Sequence, residues 1–426
     1  MKNFYQLKKL INNYRISQNN NSYKLLDNAF SSDDIFAGIK VLLSRQITMS
    51  KITEKFEKQF AKFVGAKFAI MVNSGSSANL LAVNASCNPL RNIKFYPGDE
   101  AIIPALCWST SLWPLVQFGL KTVFVDIDQR TLNVNVEQLI KKINSKTKLI
   151  MMVHVLGYSS NVEKIRNICR KKKIILIEDT CESLGSKFNN KYLGTFGDFG
   201  TYSFYYSHQI TCGEGGMVVC NSFNDYKLLY ALRAHGWARG PNQLKKNSAV
   251  LKRLDSRFVF INSGFNLRST DLAASIASSQ LNRLDYFIKI RDQNRNKIIK
   301  RLTLSKKWKN QFIFLEKVKN LKPSWFGLPI LINKRYQRIK IKFTRYLEKA
   351  GIENRPIISG NFLNQPSAKL YKLNDKNHQF PNADEVEDRG FFIGLHTKPI
   401  NKKQLDLLEK HLFNIDEFIK VNSNNY

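Results

Sequence analysis

Apolar residues recur at helical spacing over residues 34–43. They do so more strongly over 53–63, where Phe56, Phe60 and Phe63 fall on one side. Short apolar runs then take over at 68–72, 121–126, 149–157, 173–179 and 217–220. A turn and strand occupy 97–104. Helical patterns at 136–143, 161–171 and 225–234 separate several of these runs. Continuous apolar strands alternating with helices predict a mainly parallel sheet, buried on both faces. A single long helix is expected over 271–302. A strand at 326–332 and helices at 336–350 and 403–413 then predict a smaller α/β unit. The expected division is a polar lead-in over 1–35, a large domain over 36–285, and a linking helix with a small C-terminal domain over 286–426. Asn19 to Asn21 form a low-complexity patch, and no internal repeat is present.

Three places carry candidate chemistry. At 73–82 a strand feeds a Gly/Ser turn and a helix opens at once. Gly75 lets the backbone come close, and Ser76 and Ser77 add hydroxyl donors, so a phosphate fits the helix N-terminus. Serine there is also a routine helix cap. The second place is 197–216, an aromatic and β-branched run that turns on small residues. Ser203 and Ser207 can hold an anion and His208 can move a proton, yet the same pattern suits an ordinary hairpin around a core. The third is the set of strand ends, where ligands of open α/β sheets bind. Trp108 either fills core there or lies flat against a planar cofactor. Asp179 either caps a helix or meets a cationic ring nitrogen. His378 and His396 read as solvated or structural.

Composition narrows the classes. The chain has 426 residues and a formal net charge of +34. Its lysines are dispersed, in runs such as 171–173 and 245–246, with no basic stripe or nucleic-acid motif. No nucleic-acid partner is expected, whereas an anionic small substrate such as a nucleotide diphosphate suits a basic cleft. No run of eighteen apolar residues exists, so no membrane span is expected, and the N-terminus lacks a signal-peptide core. Six cysteines without metal-type spacing read as reduced thiols in a cytoplasmic protein with no metal site.

Asn73-Ser-Gly-Ser-Ser77, Glu178-Asp179, Gly194-Thr-Phe-Gly-Asp198, Ser203-Phe204, Gly213-Glu-Gly-Gly216 and Gly264-Phe-Asn-Leu-Arg268 occur in one order. Together they resemble the DegT/StrS family of sugar aminotransferases, over most of the chain. The resemblance implies an α/β fold of the fold-type-I aminotransferase kind. That fold has a mainly parallel seven-stranded sheet flanked by helices, a smaller C-terminal α/β domain, and a homodimer with shared active sites. It implies pyridoxal 5′-phosphate or pyridoxamine 5′-phosphate as cofactor. Asp179 would pair with the pyridine nitrogen, and Trp108 would stack on the ring. Gly75, Ser76 and Ser203 would bind the phosphate. Asn266 would reach the neighbouring subunit's site, and Glu182 stands where many relatives carry a glutamine facing the ring hydroxyl.

One position departs from that family's pattern. The cofactor-holding lysine is replaced by His208, and no lysine occurs between Lys191 and Lys227. Imidazole cannot hold an aldehyde as a lysine does. Histidine here resembles a subgroup, the 3-dehydratases of nucleotide-linked 4-keto-6-deoxyhexoses, in which the cofactor works as a free amine and the histidine is the base. One branch of that subgroup carries a [2Fe–2S] cluster. Residues 235–268 contain no cysteine, and a cluster needs thiolates, so none is expected. The GDP-4-keto-6-deoxymannose type is favoured, with glutamate as amino donor and deoxysugars for surface polysaccharide as the end use. The alternative is a nucleotide-sugar aminotransferase.

Overall fold

The computed structural model describes residues 2–13, 22–26, 30–48, 50–244, 248–316, 318–373 and 379–423. The Asn19–Asn21 patch, the Lys245–Lys246 pair and His378 lie outside the described residues.

Seven strands form the central sheet: β1 (Phe68–Val72), β2 (Glu100–Pro104), β3 (Lys121–Val125), β4 (Thr147–Val153), β5 (Ile175–Asp179), β6 (Phe199–Ser203) and β7 (Gly216–Cys220). Their order is β1-β7-β6-β5-β4-β2-β3. Neighbours from β6 across to β3 pair in parallel, and β7 runs antiparallel to both β6 and β1. The apolar runs are continuous because both faces of these strands are covered; every residue of β2, β5, β6 and β7 is buried.

Helices α1 (Ser32–Leu43), α2 (Lys51–Val64), α3 (Gly75–Cys87), α4 (Ser109–Gln117), α5 (Val136–Lys142), α6 (Val162–Lys172) and α7 (Phe223–Arg233) flank the sheet or connect its strands. The phenylalanine stripe of α2 does what its spacing predicts. Phe56 and Phe60 meet Phe204 edge-on at 5.7 and 5.6 Å, and Phe60 meets Tyr202 at 5.0 Å. This aromatic floor supports the segment that leaves β6. Buried Glu57 on the same helix accepts from Met71 N–H at 2.8 Å and Arg233 Nη1 at 2.6 Å, tying α2 to β1 and α7.

The expected helix over 271–302 is two helices, α8 (Asp271–Leu281) and α9 (Leu284–Thr303). No glycine or proline marks the break. Tertiary bonds fix it instead: Arg283 pairs with buried Asp34 of α1, and Gln280 Oε1 accepts from Thr211 N–H at 2.9 Å. The helix expected over 336–350 likewise starts as a 3₁₀ turn, Lys334–Ile339, before Lys340–Lys349.

A second sheet holds β8 (Phe312–Phe314), β9 (Gly327–Ile332), β10 (Asn354–Arg355) and β11 (Gly390–Gly394), antiparallel in the order β8-β9-β11-β10. The lead-in is more ordered than its polarity suggests. Lys2–Asn13 is helical, and Tyr23 is fully buried against this second sheet. Tyr23 donates to Gly394 O at 3.0 Å and stacks on His396 at 4.4 Å. His396 Nε2 lies 2.8 Å from Lys24 O, so this histidine is structural.

Candidate functional site

A cavity of about 520 Å³ opens at the carboxyl ends of the central strands. β1 delivers Ser74, Gly75 and Ser76 to it, β4 delivers His154, β5 Asp179, and β6 Ser203. Phe326, just before β9, and Arg355 and Phe392 of the second sheet close it.

The turn from β1 into α3 forms one end. Ser74 is the helix cap; its Oγ accepts from Ser77 N–H at 3.0 Å and donates to Ser77 Oγ at 3.0 Å. Ser77 is thus spent on the cap and does not line the cavity, whereas the Gly/Ser turn suggests a hydroxyl donor to a phosphate. Gly75 faces Ser203 so closely that an added Cβ would lie 2.5 Å from Ser203 Cβ. Ser76 Oγ donates to Thr110 Oγ1 at 3.1 Å, and Ser203 Oγ accepts from Tyr205 N–H at 3.2 Å. Hydroxyls of Ser76, Thr110 and Ser203 therefore gather around the first turn of α3. Its backbone N–H groups and dipole favour an anion.

Asp179 does not cap a helix. Its Oδ2 accepts from Asn79 Nδ2 at 2.7 Å and Ser111 Oγ at 2.6 Å, and its Oδ1 from Cys181 N–H at 3.1 Å. Donors from α3 and α4 thus hold an acceptor carboxylate at the cavity floor. Its neighbour Glu178 has a different task. Wholly buried, it accepts from the backbone N–H groups of Gly194, Phe196 and Gly197 at 2.7–2.8 Å and meets His154 Nε2 at 3.0 Å. The Gly194–Asp198 motif is a turn folded onto that carboxylate. Gly194 has φ 84°, and a Cβ there would lie 2.2 Å from the Tyr202 hydroxyl.

His208 sits on the 204–215 segment that joins antiparallel β6 and β7, and it lines the cavity. Its ring is flanked edge-on by Tyr205 at 5.9 Å and Phe326 at 5.1 Å. Burial, and then the charge of Arg291, push its pKa down to about 3, which leaves a neutral imidazole. Its Nδ1 is buried and has no hydrogen-bond partner among the described residues. Glu182 Oε2 accepts from Leu156 N–H at 2.9 Å; burial raises its pKa to about 7, and Asp179 adds to the rise. Trp108 precedes the first turn of α4, more than half exposed, with its side chain on the cavity wall.

Asn266 does not join this cavity. It is exposed, and its Oδ1 accepts from Arg268 Nε at 3.1 Å. Asn79, Ser111 and His154 were missed in the sequence. Asn79 carried a signal in its spacing: it follows Gly75 by four positions, about one helical turn, on the helix that the Gly/Ser turn opens. Arg355 and Phe326 carried none, because their strands lie far along the chain. No lysine lines the cavity among the described residues.

The profile of the DegT/DnrJ/EryC1/StrS aminotransferase family matches residues 31–410. GDP-4-keto-6-deoxy-D-mannose 3-dehydratase of Escherichia coli O55:H7 is 37% identical over 379 residues, covering 88% of this chain and 95% of that protein. A solved E. coli GDP-4-keto-6-deoxy-D-mannose 3-dehydratase with bound hydrated PLP superposes with a TM-score of 0.83 at 36% identity, over 92% of this chain and 99% of that one. A GDP-4-keto-6-deoxymannose 3-dehydratase with a trapped PLP-glutamate geminal diamine gives 0.82 at 34%, over 92% and 100%. The fold is that of the fold-type-I aminotransferases, and the chain belongs to the DegT/DnrJ/EryC1/StrS aminotransferase family.

Proposed function

We propose that this protein removes the 3-hydroxyl of a nucleotide-linked 4-keto-6-deoxyhexose of the GDP-4-keto-6-deoxymannose type. It would use pyridoxamine 5′-phosphate, regenerated from pyridoxal 5′-phosphate by glutamate. The observation that carries this reading is His208: a neutral imidazole stands on the segment where the family's lysine belongs, in a cavity that no described lysine lines. Similarity to 3-dehydratases solved with PLP and with a PLP-glutamate adduct supports the cofactor and the donor.

The residues fit the cofactor. The close Gly75–Ser203 approach leaves backbone N–H groups of α3 free to hold its phosphate, with Ser76 and Ser203 beside them. Asp179, already oriented by Asn79 and Ser111, would accept from a protonated ring nitrogen. Trp108 would stack on the ring, and Glu182 would face its hydroxyl. Bound there, the cofactor supplies an amine for the sugar ketone and an electron-accepting ring. His208 removes a proton as a base that stays neutral at physiological pH.

Exposed Asn266 serves the partner's site in a homodimer. No helix among the described residues is long and apolar enough to cross a membrane, and the reading places the enzyme in the cytoplasm. The test is incubation with pyridoxal phosphate, glutamate and GDP-4-keto-6-deoxymannose, followed by mass spectrometry. A sugar whose 3-hydroxyl is replaced by hydrogen, with ammonia and 2-oxoglutarate formed, is the expected result. A product with an amino group and its 3-hydroxyl retained would establish the aminotransferase instead.

A further inference from the structure

We propose that Gln209 is a positioning residue, clamping the His208 base to the Glu182 wall of the cavity. This rests on the assignment of His208 as base. Gln209 follows His208 in sequence and is 1% exposed. Its Nε2 donates to Glu182 O at 2.5 Å and to Ser324 O at 3.2 Å. The first carbonyl follows β5 and the second precedes β9, so one amide joins three distant segments. Both receiving atoms are carbonyls, so only the NH₂ end of the amide can face them. Its Oε1 is buried with no hydrogen-bond partner among the described residues. An unmet buried acceptor is destabilising, so the side chain is here for its two donors.

A second path joins the same segments. Leu156 N–H donates to Glu182 Oε2 at 2.9 Å, and Leu156 O accepts from Phe326 N–H at 3.4 Å. The Phe326 ring then meets His208. Leu156 holds φ 50°, a left-handed conformation costly for leucine. His208, Gln209, Glu182, Leu156 and Phe326 therefore form a closed circuit, which fixes the imidazole relative to the Glu182 carboxyl. Removing the two amide donors opens the circuit on the side of the base.

The test uses Gln209→Leu and Gln209→Glu in the full chain. Displacing a base by an ångström lowers turnover about 10²-fold. Gln209→Leu is therefore expected to lose about 10²-fold in kcat, with KM for the nucleotide sugar changed by no more than about twofold. In Gln209→Glu, a carboxylate facing two carbonyls is repelled, whereas the protonated acid restores one donor. Its kcat relative to wild type is expected to fall steadily from about pH 5.5 to about pH 8.5. Melting of the cofactor-free protein gives an independent reading. The folded-state pKa of the new carboxyl is raised above its unfolded value. Its stability is therefore intact at acid pH and lost as pH rises through the folded pKa. The variant's melting temperature should match wild type at low pH and drop progressively below it at high pH.

A Gln209→Leu enzyme with wild-type kcat would overturn the proposal. So would a Gln209→Glu melting deficit that does not vary with pH. If the wild type itself dehydrates no sugar, the reading of His208 fails. The melting series still decides whether the amide is a clamp.

Discussion

Gly75 offers a direct test of the anion cradle. A methyl group there would lie 2.5 Å from Ser203 Cβ, 2.9 Å from Cys181 Sγ and 3.0 Å from Ser203 Oγ. Carbon atoms pack best at about 3.5–4.0 Å, so roughly 1 Å must open. Ser203 Cβ cannot swing away, since β6 is bonded to β5 on one side and β7 on the other. The first turn of α3 has to move. Overpacking of this kind costs about 1–3 kcal/mol, and alanine returns about 1 kcal/mol of helix propensity. The net loss in stability is about 0–2 kcal/mol. The effect on cofactor binding is larger. A shift of about 1 Å takes N–H donors beyond hydrogen-bond range, and each bond to a charged acceptor contributes about 1.5–3 kcal/mol. Two lost donors raise the Kd for pyridoxal phosphate at least about 10²-fold. Equilibrium dialysis of wild type and Gly75→Ala measures this. Gly65→Ala is the control, because that glycine has φ 75° but nothing within 4 Å of an added Cβ, so backbone strain arises without a clash. Wild-type cofactor affinity in Gly75→Ala, or an equal loss in Gly65→Ala, would refute the reasoning.

Four further outcomes are expected. His208→Lys should abolish dehydration and give a borohydride-reducible bond to pyridoxal phosphate, seen by mass spectrometry of the intact chain. In the cofactor-free protein the His208 imidazole should stay neutral to about pH 4 by NMR. With its folded pKa near 3 against about 6.5 unfolded, it makes the protein less stable as pH falls below 6.5. Glu182 works the other way: its carboxyl, raised to about 7, binds its proton more tightly in the folded state. Stability should therefore fall by up to about 3 kcal/mol as pH rises from about 4.5 through 7, and Glu182→Gln should remove that slope in thermal melts. Asp271 is buried, which opposes ionisation, but bonds from Thr53 Oγ1 and the Ser50 and Thr53 N–H groups outweigh this and lower its pKa. Its contribution is lost as pH falls through that lowered value, and Asp271→Asn should cost about 1.5–3 kcal/mol at neutral pH.

The strands were legible because burial on both faces leaves a continuous apolar run, and residues 68–72 and 217–220 fall within a residue of the strands observed. Local residues left His208 and Asp179 open between structural and chemical readings; the resemblance singled them out, and the fold brings both to the cavity wall. The two roles inside Glu178-Asp179 were not legible, since adjacent strand residues point to opposite faces and only packing shows what lies beyond each. The break between α8 and α9 left no local mark, being set by Asp34 and Thr211 from distant segments. The roof of the cavity was hidden for the same reason. Ser77 shows the converse: a serine in a phosphate-type turn can have its hydroxyl engaged by the helix cap instead.

The placement of β1 at the sheet edge sets an order of events during synthesis. Its ladder partner is β7, with Phe68 opposite Cys220 and Val72 opposite Gly216. A growing chain emits the later strand only after about 150 further residues, roughly 7–30 s at ribosomal rates of about 5–20 residues per second. Throughout that delay β1 is an apolar segment without its neighbour, a substrate for chaperones rather than a folded strand. Gly216 also abuts Ser74, where a Cβ would lie 2.2 Å from its carbonyl oxygen. The turn that opens α3 is therefore completed only when β7 arrives. The nascent chain would acquire the proposed phosphate cradle late, after Asp179, the carboxylate proposed to meet the ring nitrogen, has already been made.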